Sequence, residues 1–323
     1  MSLAKEQQIL AQVQADLVKV EAFLAESLQT GSEDFNELIR PLSAAGGKRL
    51  RARLALLIAG AGESKESERV PIAAAIEMLH LATLIHDDVL DQAAVRRGVP
   101  AIHCSKGNKV AILSGDYLFA KAFDIVADVG SVAVLKAFSF IITSLVEGEF
   151  MQMEDVFKVD QGTDRYLTKT QKKTADFIEA CMEIGGILGQ WPAEQIEALK
   201  KYGHGVGMAF QITDDIMDYS ATSETTGKPV GKDLREGLIT YPLLSIVTEA
   251  NKEDVSSYVH AIADGADENK LIDFVVAQGG VTNALNLEAS YEQLASEGLA
   301  DLPEFPGKSM LYDVLNSLAH RKV

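Results

Sequence analysis

The chain has 323 residues, 47% hydrophobic and 24% charged, enough apolar sequence for a substantial core in one large domain or two ordinary ones. Its 47 acidic residues against 30 basic give a net charge of −17, which argues against nucleic acid and anionic membrane surfaces as partners. Two cysteines, Cys104 and Cys181, form no zinc-type cluster and read as small core residues in a reducing compartment.

Nearly every segment reads as helix, with proline and glycine confined to joints and strand-like alternation scarce. The start, MSLAKEQQIL, is polar and amphipathic, with no signal peptide, so a cytoplasmic location is expected. Glu6–Leu28 forms an amphipathic helix that ends at Thr30-Gly31. A second runs from Gly47 to Ile58 and is closed by Gly60 and Gly62. Pro71 opens a long helix that carries the acidic sequence DDVLD, Asp87–Asp91. Further helices follow at Val110–Ala127, Val132–Met153 and Asp164–Leu188. Ala193–Tyr219 carries a second acidic sequence, DDIMD, Asp214–Asp218. Shorter helices read at Leu243–Ala250, Lys252–Ala263, Glu268–Ala277, Val281–Leu294 and Ser309–Arg321, while Thr222–Lys232 is loop-like. The apolar run Ala111–Phe123 is interrupted by Asp116 and Lys121, so no integral membrane segment is expected. With no linker or solenoid period, the economical architecture is all-α: a single-domain bundle of long helices, residues 1–323, a natural place to build a site from facing side chains.

On a helix, positions i, i+3 and i+4 share a face. Asp91 therefore lies one turn beyond Asp87 and Asp88, and Asp218 one turn beyond Asp214 and Asp215. Carboxylates so close repel one another unless a cation sits among them, and an all-oxygen donor set suits Mg²⁺. One such motif could be a solvated acidic face. Two, each embedded in apolar sequence, point to metal ions bridging a phosphorylated substrate.

A phosphate-binding protein with this net charge needs its basic residues concentrated where the phosphates go. GGKRLRAR places Lys48, Arg49, Arg51 and Arg53 at a helix start, where backbone N–H groups also attract anions. Arg96 and Arg97 follow the first acidic motif, Lys172-Lys173-Thr174 lies on a middle helix, and Lys228 and Lys232 follow the second motif. Arginine forks and lysine point charges are the usual grip on phosphate. His80 lies seven residues before Asp87, about 10 Å along the same face, a sensible separation between two substrate phosphates. His86 and His103 read as structural.

The ordered series GGKRLR, LIHDDVLD, RRG, KKTA, GMAFQITDDIMDY and GKPVGKDL resembles the trans-isoprenyl diphosphate synthases, more narrowly the medium- and long-chain polyprenyl type of bacteria. The motifs run from about Gly46 to Pro242. The resemblance implies a Mg²⁺-dependent prenyltransferase (two or three ions) that condenses isopentenyl diphosphate with an allylic diphosphate, farnesyl being the expected primer. It implies that Lys48, Arg51, His80 and Arg97 hold isopentenyl diphosphate, and that Arg96, Lys173, Lys228 and Lys232 grip the allylic diphosphate. Asp87, Asp91 and Asp214, with Asp88, Asp215 and Asp218, would bind the metal. Lys173, Thr174 and Gln211 would lie beside the reacting carbon. It also implies a central cavity in the bundle and a homodimer, and a small accessory subunit, as in two-component synthases, stays open.

Leu79, Thr83, Asp87 and Asp91 follow an i+4 stripe, so Thr83 lies one turn beneath the carboxylates. Short-chain relatives block that level with aromatic residues, whereas here Ala82 and Thr83 leave it open, favouring a product longer than geranylgeranyl; Phe123, Phe138 and Phe140 are candidates for the eventual stop. A geranylgeranyl or farnesyl synthase is the shorter-chain alternative. Two features depart from the family pattern: Ala52 stands where proline is frequent, and Leu238 where lysine is frequent. A terpene cyclase of the same fold would lack the isopentenyl site, and a non-catalytic subunit would show a degraded acidic motif.

Overall fold

In a computed structural model of the chain, the residues described are 3–44, 47–96, 98–220 and 230–319. Arg97 and Lys228 lie outside them. The described residues are almost wholly helical, with one two-stranded antiparallel hairpin, β1 (Val95–Arg96) and β2 (Val99–Pro100). They divide into two compact units: Met1–Ser139 with Cys181–Glu197 and Glu304–Gly307, and Phe140–Ala180 with Ala198–Pro303 and Lys308–Val323.

The first unit contains α1 (Leu3–Ser27), α2 (Glu33–Ala44), α3 (Leu50–Ala61), α4 (Glu66–Leu90), α5 (Ile102–Lys106) and α6 (Asn108–Val129), with the start of α7 (Val132–Glu154). Helix α4 is its centre and packs against α1, α3 and α6. Small residues let these partners approach: Ala73, Ala74, Ala75 and Ala82 are all buried. On α6 the close approach is absolute at Gly115, where a Cβ would stand 2.1 Å from Nε2 of His86. By length and composition α4 is apolar enough to cross a membrane, but 67% of that stretch is buried inside the protein, the signature of a core helix. The segment after α9 (Asp176–Leu188) is fastened to the end of α3, with Trp191 Nε1 donating to the carbonyl of Ile58 at 3.0 Å.

In the second unit α8 (Thr163–Thr170) leads through a π-helical turn, Gln171–Ala175, into α9, and α10 (Ala193–Ser220) follows. Then come α11 (Lys232–Arg235), α12 (Tyr241–Leu244), α13 (Lys252–Ala263), α14 (Asn269–Ala277), α15 (Gly280–Ala300) and α16 (Lys308–Ala319). Leu243, Val255, Val259, Leu271 and Val275 fill one core, which also receives Tyr166 and Tyr219.

Several sequence expectations need correction. Helix α4 begins at Glu66, so Pro71 sits inside it and not at its start. The expected single helix Asp164–Leu188 is interrupted by the π-turn. The helix expected over Leu243–Ala250 is only the short Tyr241–Leu244, because the β-branched run Ile246-Val247-Thr248 does not continue it. Cys181 is buried, as expected of a core cysteine, but Cys104 is exposed.

Candidate active site

The first acidic motif occupies the last turn of α4, where the Asp91 N–H closes the helix by donating to the Asp87 carbonyl at 2.8 Å. Its three carboxylates fall into different environments. Asp91 is exposed, Asp87 half-buried and Asp88 buried. Oδ1 of Asp88 accepts Nε of Arg96 at 2.7 Å and Nη2 at 2.5 Å, so this carboxylate fixes the arginine on the hairpin. Asp87 and Asp91 are the two carboxylates of this motif that solvent reaches.

The basic joint before α3 belongs to the same unit. Lys48 is exposed, and Arg51, in the first turn of α3, brings Nη1 within 3.4 Å of Nε2 of His80. Arg49 is turned the other way, onto Glu21 and Glu77. The N–H of Ala52 donates to Oε1 of Glu77 at 3.1 Å, a bond that the proline frequent at this position could not make. Thr83 is half-buried and its hydroxyl donates to the His80 carbonyl at 2.8 Å, while Leu79 and Ala82 are fully buried. Phe123 and Phe138 stack edge-to-face with centroids 6.4 Å apart, but Phe140 is 45% exposed and encloses nothing. His86 is structural: its Nε2 lies 2.9 Å from the Ile112 carbonyl and its ring packs against Phe119.

In the second unit the acidic motif lies near the end of α10. Asp215 is buried and accepts the Tyr166 hydroxyl at 2.5 Å and Nε2 of Gln211 at 2.9 Å. Oε1 of Gln211 in turn accepts the Thr174 hydroxyl at 3.0 Å. A continuous polar chain thus runs from Thr174 through Gln211 and Asp215 to Tyr166. Asp218 accepts the backbone N–H groups of Lys232 and Asp233, both at 3.0 Å, and so anchors the start of α11. Asp214 is half-buried. Nζ of Lys173 sits 2.5 Å from Glu149, and Lys172 is held by Glu147 at 2.6 Å. The π-turn sets the register of Lys173 and Thr174, an insertion frequent at functional sites. Lys232 is exposed and pairs only loosely with Glu236, at 3.3 Å. Leu238 is half-buried beyond α11.

Burial pushes the Asp215 carboxyl up to about 7 despite its two hydrogen bonds, and raises Asp218. Asp233 is pushed up to about 8 by burial and by the charges of Asp215 and Asp218. This cluster of carboxylates, oxygen donors throughout, fits a hard divalent cation of the Mg²⁺ type. It also has a measurable consequence without metal. A carboxyl whose folded pKa is raised binds a proton more tightly folded than unfolded, so its ionisation penalty is absent below about pH 4 and full above its folded pKa. Metal-free protein is therefore expected to lose stability as pH rises from about 4 to 8, with a shallower slope in Asp233→Asn. Melting temperatures across that range in chelator check this; an unchanged slope would contradict it.

Sequence reasoning did not find Tyr166, Glu149, Glu77 or Asp233. Among the described residues Asp176, Glu179 and His204 also bring possible ligand atoms within 4.8 Å of one another. Hydrogen bonds from Ser144 and Gln171 to Asp176, and Lys200 beside Glu179, account for that group without an ion.

Comparison with known proteins gives this geometry its context. The family model for polyprenyl synthetase matches residues 32–278. A nonaprenyl diphosphate synthase of Mycobacterium tuberculosis is 36% identical over 307 residues, spanning 93% of this chain and 91% of its own. Component 2 of the heptaprenyl diphosphate synthase of Geobacillus stearothermophilus is 33% identical, covering 93% of each. The crystal structure of a decaprenyl diphosphate synthase from Rhodobacter capsulatus superposes with a TM-score of 0.89 at 31% identity, covering 98% of this chain and 99% of that one. With the family model matching well over half its length, the chain belongs to the polyprenyl synthetase family and is a prenyltransferase.

Proposed function

We propose that this chain condenses isopentenyl diphosphate with an allylic diphosphate, farnesyl being the expected primer, to give a medium- or long-chain all-trans polyprenyl diphosphate of the kind used as a quinone side chain. The observation that carries this reading is the coexistence of two intact carboxylate motifs with the Lys48, Arg51 and His80 group, the set that a terpene cyclase or a non-catalytic subunit would lack. The named relatives supply the chain-length class.

Asp87, Asp91 and Asp214 would hold the metal, while Asp88, Asp215 and Asp218 orient Arg96, Gln211 and the start of α11. A bound Mg²⁺ would supply neutralisation of the allylic diphosphate, making it a better leaving group. Arg96, Lys173, Lys228 and Lys232 grip that diphosphate. Its C–O bond breaks with the electron pair leaving on oxygen, the isopentenyl double bond attacks the allylic carbon, and a proton passes to the released pyrophosphate. Thr174 and Gln211, joined by their hydrogen bond, would lie beside the reacting carbon and steady the developing positive charge. The protein needs no nucleophile: positioning and a dry site suffice.

The same proposal treats both compact units as one synthase domain working in the cytoplasm, and the exposed apolar residues Ile112 and Leu113 of α6 as part of a homodimer contact. The relative named as component 2 keeps a small accessory subunit in view. Incubating the purified chain alone with farnesyl diphosphate, isopentenyl diphosphate and Mg²⁺ should give linear products longer than geranylgeranyl. A cyclised hydrocarbon would overturn the reading, and product that forms only with a partner would make this a catalytic subunit.

Lys48→Ala and Arg51→Ala are expected to raise KM for isopentenyl diphosphate about tenfold or more, with far less effect on KM for farnesyl diphosphate. Arg97→Ala should behave alike. Varying each substrate separately checks this, and the opposite selectivity would mean that the two phosphate sites are interchanged.

A further inference from the structure

Glu77 is a charge without a role in the chemistry. It is 4% exposed in the middle of α4, within the apolar run VPIAAAIEMLHLATLI. A buried carboxylate is costly unless it is paired and hydrogen-bonded, and Glu77 is both. Its Oε2 lies 3.2 Å from Nη1 of Arg49, and its Oε1 takes the Ala52 N–H at 3.1 Å. The far side of the same guanidinium is held bidentately by Glu21 of α1, at 2.7 and 3.1 Å.

The residue clamped in this way also carries a strained backbone. Arg49 caps α3 in the left-handed region, φ 48° and ψ 41°, a conformation non-glycine residues seldom adopt. That kink sends Arg49 inward between two carboxylates, while its neighbour Lys48 stays exposed and Arg51, two residues later, lies beside His80. Glu77 also lies three residues before His80 on α4, so one helix carries both the clamp and the histidine that meets Arg51. An alternative in which Arg49 is itself an anion ligand does not fit a guanidinium already engaged by two carboxylates.

We infer that Glu77, with Glu21 behind Arg49, is a positioning residue for the non-allylic diphosphate: it fixes the αL kink at Arg49 and thereby aims Lys48 and Arg51 at the substrate. Resting as it does on the reading that Lys48 and Arg51 hold isopentenyl diphosphate, it has a test that separates the two.

Glu77→Gln keeps an acceptor for the Ala52 N–H and removes the charge that holds Arg49. Glu21→Gln removes a half-exposed partner of the same clamp and leaves the core untouched, so it reports even where Glu77→Gln fails to fold. Each is compared with wild type and with Arg51→Ala by varying the two substrates separately. The expected result is a rise in KM for isopentenyl diphosphate of about five- to tenfold in Glu77→Gln and less in Glu21→Gln. In both, KM for farnesyl diphosphate and kcat should stay within about twofold of wild type. A purely structural carboxylate would lower thermal stability without this split. If Arg51→Ala raises KM for isopentenyl diphosphate and neither clamp variant does, the inference is overturned and the substrate reading stands. If Arg51→Ala leaves it unchanged, the substrate reading fails and the inference fails with it. A uniform loss in both KM values and kcat also overturns the positioning role.

Discussion

Asp87→Ala and Asp214→Ala are expected to lower turnover by about a thousandfold or more while leaving thermal stability equal or slightly raised. Both carboxylates are half-buried and sit beside other carboxylates of their own motif. In metal-free protein, removing one relieves repulsion; during catalysis it removes a ligand from the cation that assists the leaving group. Asp88→Ala and Asp215→Ala should behave differently. The first takes from Arg96 the carboxylate that holds it, and the second strands the Tyr166 hydroxyl and the Gln211 amide. Leaving such partners unsatisfied costs about 1–3 kcal/mol, so these variants should lose stability as well as rate. Initial rates at saturating substrate, set beside thermal melts in chelator, separate the two classes. Near wild-type turnover in Asp87→Ala or Asp214→Ala would remove the proposed mechanism.

That division within each motif was not legible in the sequence, although the motifs were. Carboxylates at i, i+3 and i+4, repeated on two apolar helices, repel one another unless a cation sits among them, so spacing alone exposes them. Which member is buried against the protein depends on partners far away in the chain: Tyr166 lies 49 residues from Asp215 and belongs to another helix. Glu149 beside Lys173 is hidden for the same reason. The π-turn was invisible because one extra residue per turn at Gln171–Ala175 carries no glycine or proline and barely disturbs the apolar period across it. Glu77, by contrast, carried the signal that singled out His80, a lone polar residue in an apolar helix, and could have been found. Helix α2, with Pro41 inside it, and the true start of α4 five residues before Pro71 show proline tolerated where tertiary packing holds the helix.

Thr83 is where the sequence makes its boldest claim about product length. It lies four residues before Asp87 on the stripe that ends in Asp87 and Asp91, and it is half-buried while Leu79 and Ala82 are sealed. Its hydroxyl is occupied by the His80 carbonyl, so the side chain is held in one rotamer with its methyl group turned elsewhere. An aromatic ring at this level would stand across the path of a growing prenyl tail. Each further addition would then require overpacking, which typically costs about 1–3 kcal/mol and would strongly disfavour elongation. Thr83→Phe, alone and with Ala82→Tyr, should still condense short allylic primers yet stop near farnesyl or geranylgeranyl diphosphate. The single variant is the cleaner test, because Ala82 is fully buried and a tyrosine there strains the fold as well as the tunnel. Chromatography of the dephosphorylated products reads the answer directly. An active Thr83→Phe enzyme whose product distribution matches the parent would show that this stripe does not line the tunnel, and that chain length is set elsewhere.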